Sequence, residues 1–170
     1  MVTDRSAKDI VVRPVQADDA AAISELHARA FGPGRFARTA YRIREGKPGH
    51  SEFCRVCLIG GRLAAAVRLS PIVIGGKPGA LLLGPLAVHP EFANQGYGRG
   101  LVGSALGAAR AAGVGIVVLV GDEPYYSKLG FRPVPRGQIS LPGPVNPDRL
   151  LAVELTPGRL ADFKGLVTGT

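Results

Sequence analysis

The stretch from Leu81 to Gly100, LLLGPLAVHPEFANQGYGRG, constrains the fold of this chain more than any other. Its apolar run, Leu81 to Val88, reads as a buried strand. A short polar connection and a glycine-spaced turn, Gly96-Tyr97-Gly98, lead into Leu101 to Arg110, LVGSALGAAR, which reads as a helix ended by Ala111-Ala112-Gly113. Val114 to Val120, VGIVVLV, is then a strand apolar on both faces. Strand, helix and second apolar strand predict a parallel crossover unit, because parallel strands are covered on both faces and need a long connection. The start of the helix leaves backbone N–H groups without intrahelical partners at the positive end of its dipole. A phosphate-bearing ligand is therefore expected at Gln95 to Arg99.

Around this unit the other elements follow from periodicity and turn residues. Ile10 to Val15 is a short strand. Asp18 or Asp19 caps a helix whose apolar positions are Ala22, Ile23, Leu26, Ala30 and Phe31, stopped by Gly32-Pro33-Gly34. A second helix is expected over Phe36 to Arg44. Phe53 to Ile59, Arg62 to Ile74 and Ala80 to Val88 read as three antiparallel strands, joined at Gly60-Gly61 and at Gly75-Gly76-Lys77-Pro78. After Val120, Gly121-Asp122-Glu123-Pro124 starts a short helix, Tyr125 to Leu129, closed by Gly130. Phe131 to Val134 opens a strand, Pro135 to Asp148 is a Pro- and Gly-rich loop, and Leu150 to Leu155 is the last strand. The tail from Thr156 shows no readable chemistry. The order βααβββαβαββ predicts an α/β fold with a central mixed antiparallel and parallel sheet flanked by helices. Such sheets bind ligands outside the carboxyl ends of their strands.

With 170 residues, 46% hydrophobic and 20% charged, the chain reads as one globular domain, 1–170, rather than a disordered segment. No apolar run approaches the roughly 18 residues of a membrane span. The N-terminal MVTDRSAKDIVVRPV lacks an apolar signal core, so a cytoplasmic protein without a membrane partner is expected. The net charge of +8 reads mostly as a solvated basic surface, with attraction of an anionic ligand as the functional alternative. Nucleic acid is disfavoured, since the arginines are scattered and no aromatic-studded basic strand occurs. Arg35, Arg38 and Arg42 would form one basic helix edge. Cys54 and Cys57 spell C-x-x-C, but in a strand side chains three apart point to opposite faces, so two ordinary reduced thiols are expected and no metal.

Three segments in order carry a family resemblance: Gly84-Pro85-Leu86-Ala87-Val88-His89-Pro90, Asn94-Gln95-Gly96-Tyr97-Gly98-Arg99-Gly100-Leu101-Val102 and Tyr125-Tyr126-Ser127-Lys128-Leu129-Gly130-Phe131. Together they resemble the GCN5-related N-acetyltransferase (GNAT) superfamily. The Gly-Asp-x-Pro-Tyr-Tyr form resembles its bacterial YhbS-like branch. The resemblance implies a single GNAT domain and an acetyl-CoA-dependent N-acetyltransferase acting on a primary amine of a small molecule or protein. Homodimers are common in that family. It implies that the backbone of Leu86, Ala87 and Val88 pairs with the pantetheine arm of acetyl-CoA. Asn94, Gln95, Gly96, Tyr97, Gly98 and Arg99 would wrap the pyrophosphate. The Val88 N–H would polarise the thioester carbonyl, and Tyr126 would act as general acid.

The sequence also departs from the family pattern. Aligning Gly96 and Gly98 with the family's G-x-G puts Ala93 where Gln or Arg is common, so backbone donors and Arg99 must hold the phosphates. The asparagine that many relatives carry after the strand matching Val114 to Val120 is replaced by Gly121-Asp122-Glu123. His89, Glu91, Asp122, Glu123 and His50 are all candidates for a general base, none singled out, and water could relay the proton instead. The alternative expectation is a non-catalytic acyl-CoA-binding or regulatory module of the same fold.

Overall fold

A computed structural model describes residues 9–31 and 51–169. The helix expected over 36–44, the Arg35, Arg38, Arg42 series and His50 lie outside the described residues. Strand β1 (Ile10–Pro14) runs into a 3-10 turn, Ala17–Asp19, and helix α1 (Ala20–Phe31). Asp19 ties this entry together: it accepts from the Gln16 N–H at 2.7 Å and pairs with Arg13 of β1 at 2.8 Å. Glycine pairs then fold three consecutive strands on one another. Gly60-Gly61 joins β2 (Arg55–Ile59) to β3 (Arg62–Ile74), and Gly75-Gly76 joins β3 to β4 (Lys77–Val88). With φ of 56° and 84°, Gly75-Gly76 adopts the two-residue hairpin turn whose twist matches the flanking strands, a conformation that favours glycine.

Helix α2 (Tyr97–Ala111) crosses one face and returns the chain to β5 (Ile116–Val120), parallel to β4 as expected. A one-turn helix, α3 (Glu123–Tyr126), continues as a 3-10 turn over Ser127–Leu129. Then come β6 (Arg132–Pro133), β7 (Ile139–Ser140), β8 (Leu150–Glu154) and β9 (Gly165–Gly169). The main path of the sheet is β1-β2-β3-β4-β5-β8-β6, with β9 pairing both β3 and β7. Strands β7 and β9 were not expected from the sequence. β9 lies antiparallel on Ile72 to Ile74, beyond Val67, where the β2 ladder on β3 ends.

The sheet separates two apolar layers. On one face α2 buries Leu101, Val102, Ala105, Leu106 and Ala109 against Val67, Leu69, Leu81, Leu83, Val117 and Leu119. Each such large aliphatic side chain contributes about 1.5–3 kcal/mol when fully buried. On the opposite face there are two separate clusters. One joins Leu26 of α1 to Val56, Ala66 and Ala87. The other gathers Phe163, Ile72, Ile74, Leu82, Val118 and Val134. No helix among the described residues is long and apolar enough to cross a membrane.

Candidate active site

The site begins with a strand that loses a neighbour. β4 pairs with β5 only at Ala80↔Ile116, Leu81↔Val117 and Leu82↔Val118. Beyond Leu82 it continues to Val88 beside β3 alone. Two β4 residues, Gly84 and Pro85, stand opposite the single Arg68, because the register with β3 moves from Leu69↔Leu83 to Val67↔Leu86. Such a bulge bends the strand and increases its twist, which carries the end of β4 away from β5. In the ladder past the bulge the His89 N–H donates to the Ala64 carbonyl at 2.8 Å. Because donors alternate sides along an antiparallel strand, the N–H groups of Val88 and Leu86 turn toward the gap, while Ala87 faces β3.

The gap opens at the start of α2. Asn94 (φ 60°) and Gly96 (φ 88°) both take the left-handed conformation and turn the chain sharply into the helix. The first helical bond runs from the Gly100 N–H to the Gly96 carbonyl at 3.0 Å. The N–H groups of Tyr97, Gly98 and Arg99 precede it, and no acidic residue lies in the first turn to compete for them. Asn94, Gln95, Gly96 and Arg99 are exposed, whereas Gly98 is buried. The Tyr97 ring instead packs edge-on against Phe92 at 6.2 Å, so only its backbone faces the turn. Gln95 spends its amide on the Glu91 carbonyl at 3.3 Å. The turn thus offers backbone N–H donors and the Arg99 charge at one point.

Two tyrosines close the far side of the gap. The Tyr126 ring stands over Gly121 at the end of β5, where a Cβ would lie 2.6 Å from its Cε2. It packs edge-on against Phe131 at 5.7 Å and Tyr125 at 4.8 Å. Burial, with the negative Asp122 nearby as a smaller cause, pushes the Tyr126 phenol up to about 12. It therefore keeps its proton throughout the neutral range. Tyr125 reaches across to α2, its hydroxyl 2.7 Å from where a Gly98 Cβ would stand and beside Val88. Burial raises its phenol too, opposed by the charge of Arg99. This contact spans two distant segments, and no periodicity or motif in the sequence signals it.

Three of the candidate bases have partners of their own. His89 Nδ1 accepts from the Glu91 N–H at 3.1 Å, capping the turn Pro90–Phe92. Glu91 is paired with Arg62, whose hydrogen bond holds its carboxyl below the usual range. Asp122 faces Arg149 at 3.2 Å, and Glu123 occupies the first turn of α3. Both cysteines are buried and unpaired. Cys54 lies just outside β2, its Sγ accepting from the Ser51 and Leu69 N–H groups at 3.3 and 3.4 Å. Cys57 packs under α2, where burial raises its thiol. Among the described residues no group of three or more His, Cys, Asp or Glu could hold a metal ion.

Comparison with known proteins agrees with this architecture. Residues 20–131 match the model of the Acetyltransferase (GNAT) family. The chain is 30% identical over 118 residues to the uncharacterized N-acetyltransferase YhbS of Escherichia coli K12, covering 66% of this chain and 68% of YhbS. It is 27% identical over 118 residues to the uncharacterized N-acetyltransferase YjhQ of the same strain, a match covering 68% of this chain and 65% of YjhQ. The crystal structure of E. coli YhbS in complex with CoA superimposes with a TM-score of 0.82 at 26% identity, covering 95% of this chain and 89% of that one. A GNAT family acetyltransferase from Brucella melitensis in complex with acetyl-CoA gives 0.63 at 27% identity, covering 85% and 95%. The sheet that parts between β4 and β5, the glycine turn into α2 and the matched family model lead to one conclusion: the chain belongs to the acetyltransferase (GNAT) family.

Proposed function

We propose that this protein is an acetyl-CoA-dependent N-acyltransferase that moves an acetyl group to a primary amine of a small molecule or protein by direct attack on the thioester. The observation that carries the reading is the one-sided end of β4. Val88 and Leu86 turn backbone donors into a gap that runs to the N-terminus of α2, which suits an extended amide-bearing arm ending in a pyrophosphate. The CoA complexes of the YhbS and Brucella relatives support the same ligand.

Acetyl-CoA supplies the acetyl group as an activated thioester. Leu86 and Val88 hold the arm as an added strand, with Ala87 between them bonded to β3. Asn94 to Arg99 meet the pyrophosphate with N–H groups and the Arg99 charge. The Val88 N–H polarises the thioester carbonyl, where negative charge develops as the amine nitrogen bonds to carbon. As the C–S bond breaks, Tyr126 gives its proton to the sulfur; burial keeps that proton in place beforehand. Water takes the proton that the amine must lose and returns one to Tyr126, which balances the reaction without a dedicated base. Isothermal titration with acetyl-CoA, followed by thiol release across an amine panel, tests the proposal. Binding with turnover is expected. No binding at millimolar acetyl-CoA contradicts it, and binding without thiol release for any amine favours a non-catalytic module instead.

A further inference from the structure

The face of the sheet opposite α2 is interrupted by polar residues where its floor should be apolar. Along β3, Ala66, Arg68, Ser70, Ile72 and Ile74 share that face by strand alternation. Ala66 belongs to the cluster under α1, and Ile72 and Ile74 belong to the Phe163 cluster. Between these clusters the floor is Arg68 and Ser70. Arg68 is half-buried with its Nε out of solvent, and stands directly opposite the Gly84-Pro85 bulge. Ser70 is 8% exposed, and its Oγ has no hydrogen-bond partner. A buried hydroxyl left unmet carries a desolvation cost that a packed apolar residue would not.

The location gives these residues a use, resting on the acyltransferase reading above. The β4–β5 gap is sealed on one face by α2 and the large cluster beneath it. An amine attacking a thioester held in the gap must therefore come from the other face, past Arg68, with Ser70 next along that face opposite Leu82. We propose that this pair recognises a carboxylate on the acceptor, so that the preferred substrates are amines that also carry a carboxylate. A guanidinium and a hydroxyl are both donors to carboxylate oxygens, and the net charge of +8 draws such acceptors in. Arg68 and Ser70 are specificity residues here and take no part in the proton transfers.

The test uses the full chain and amines in matched pairs, 4-aminobutanoate with 4-aminobutanamide and 6-aminohexanoate with 6-aminohexanamide, assayed by thiol release from acetyl-CoA. The carboxylate member of at least one pair should be favoured about tenfold or more in kcat/KM. Arg68→Gln should abolish that preference through acceptor KM, and Arg68→Lys should restore part of it. Ser70→Ala should weaken it about threefold, while acetyl-CoA affinity measured by calorimetry stays unchanged in all three. A thermal melt confirms that each variant is folded. If Arg68→Gln fails to fold, Arg68→Lys and Ser70→Ala decide by the same change in preference. Wild-type turnover of the neutral members alone or equally, or an Arg68→Gln that keeps the preference, overturns the inference while leaving the acyltransferase reading intact. Failure of wild type to bind acetyl-CoA overturns both.

Discussion

The two halves of β4 are one continuous strand with opposite fates. From Ala80 to Leu82 it lies between β3 and β5, bonded on both sides and buried on both faces. From Leu86 to Val88 it keeps β3 and loses β5. Side-chain chemistry does not separate the halves, since both are apolar. The separation comes from the bulge at Gly84-Pro85, which lets the same strand be a scaffold below and present unclaimed backbone donors above. A binding surface can thus be made from backbone alone, by withholding a neighbour.

Substitutions in each half should therefore fail differently. The largest effect is expected in the scaffold: Leu82→Ala, at a side chain with 0% exposure, should cost about 2–5 kcal/mol in urea unfolding. The protein that remains folded should bind acetyl-CoA normally. A specific loss of binding there would erase the distinction between the halves. Next comes Tyr126→Phe beside the open half, which should lower kcat about 100-fold with acetyl-CoA affinity retained. An unchanged rate removes Tyr126 from the chemistry.

The same phenol makes a pH prediction. Its folded value of about 12 lies above the ordinary phenol value, so the unfolded chain loses the proton first as pH rises. The stability it contributes is complete below about pH 10 and is lost between about pH 10 and 12. Urea unfolding at roughly pH 8 and pH 10.5 should show a steeper fall for wild type than for Tyr126→Phe. Equal falls would contradict the burial of that hydroxyl.

Gly98→Ala should have a smaller effect, weakening acetyl-CoA binding about tenfold. Its Cβ would meet the Tyr125 hydroxyl at 2.7 Å and Val88 Cγ2 at 3.2 Å, pushing on the open half from the helix side. Stability should change by less than about 1 kcal/mol, because the helix preference for alanine offsets the crowding. Unaltered affinity would show that Tyr125 and Val88 yield freely. The smallest effect is expected at Arg62→Ala, which breaks an exposed ion pair with Glu91 and should leave the thermal midpoint and acetyl-CoA affinity unchanged within error.

Much of this arrangement was readable from residue order. The run Leu81 to Val88, the glycine turn and Val114 to Val120 each carry a long uniform pattern, and the crossover they predict is present. Gly96 and Gly98 flagged the helix start for a local reason, backbone conformation and close packing, which sequence expresses directly. β9 was not readable because its one buried side chain, Val167, follows the 46% exposed but apolar Leu166, so residue types do not alternate where burial does. The end of the β4–β5 ladder was hidden for another reason. Gly84-Pro85 announces an irregularity in the strand, but which neighbour is lost depends on the register with Arg68, a tertiary property. The Tyr125 contact with Gly98 and the isolation of Ser70 are hidden in the same way.

Residue-resolved amide hydrogen exchange with and without CoA shows whether the end of β4 completes its pairing with an acyl-CoA arm. The Leu86 and Val88 amides should become at least about tenfold slower to exchange when CoA is added, while Leu81 and Leu82 stay as protected as before. Unchanged exchange at Leu86 and Val88 in protein saturated with CoA would contradict that pairing.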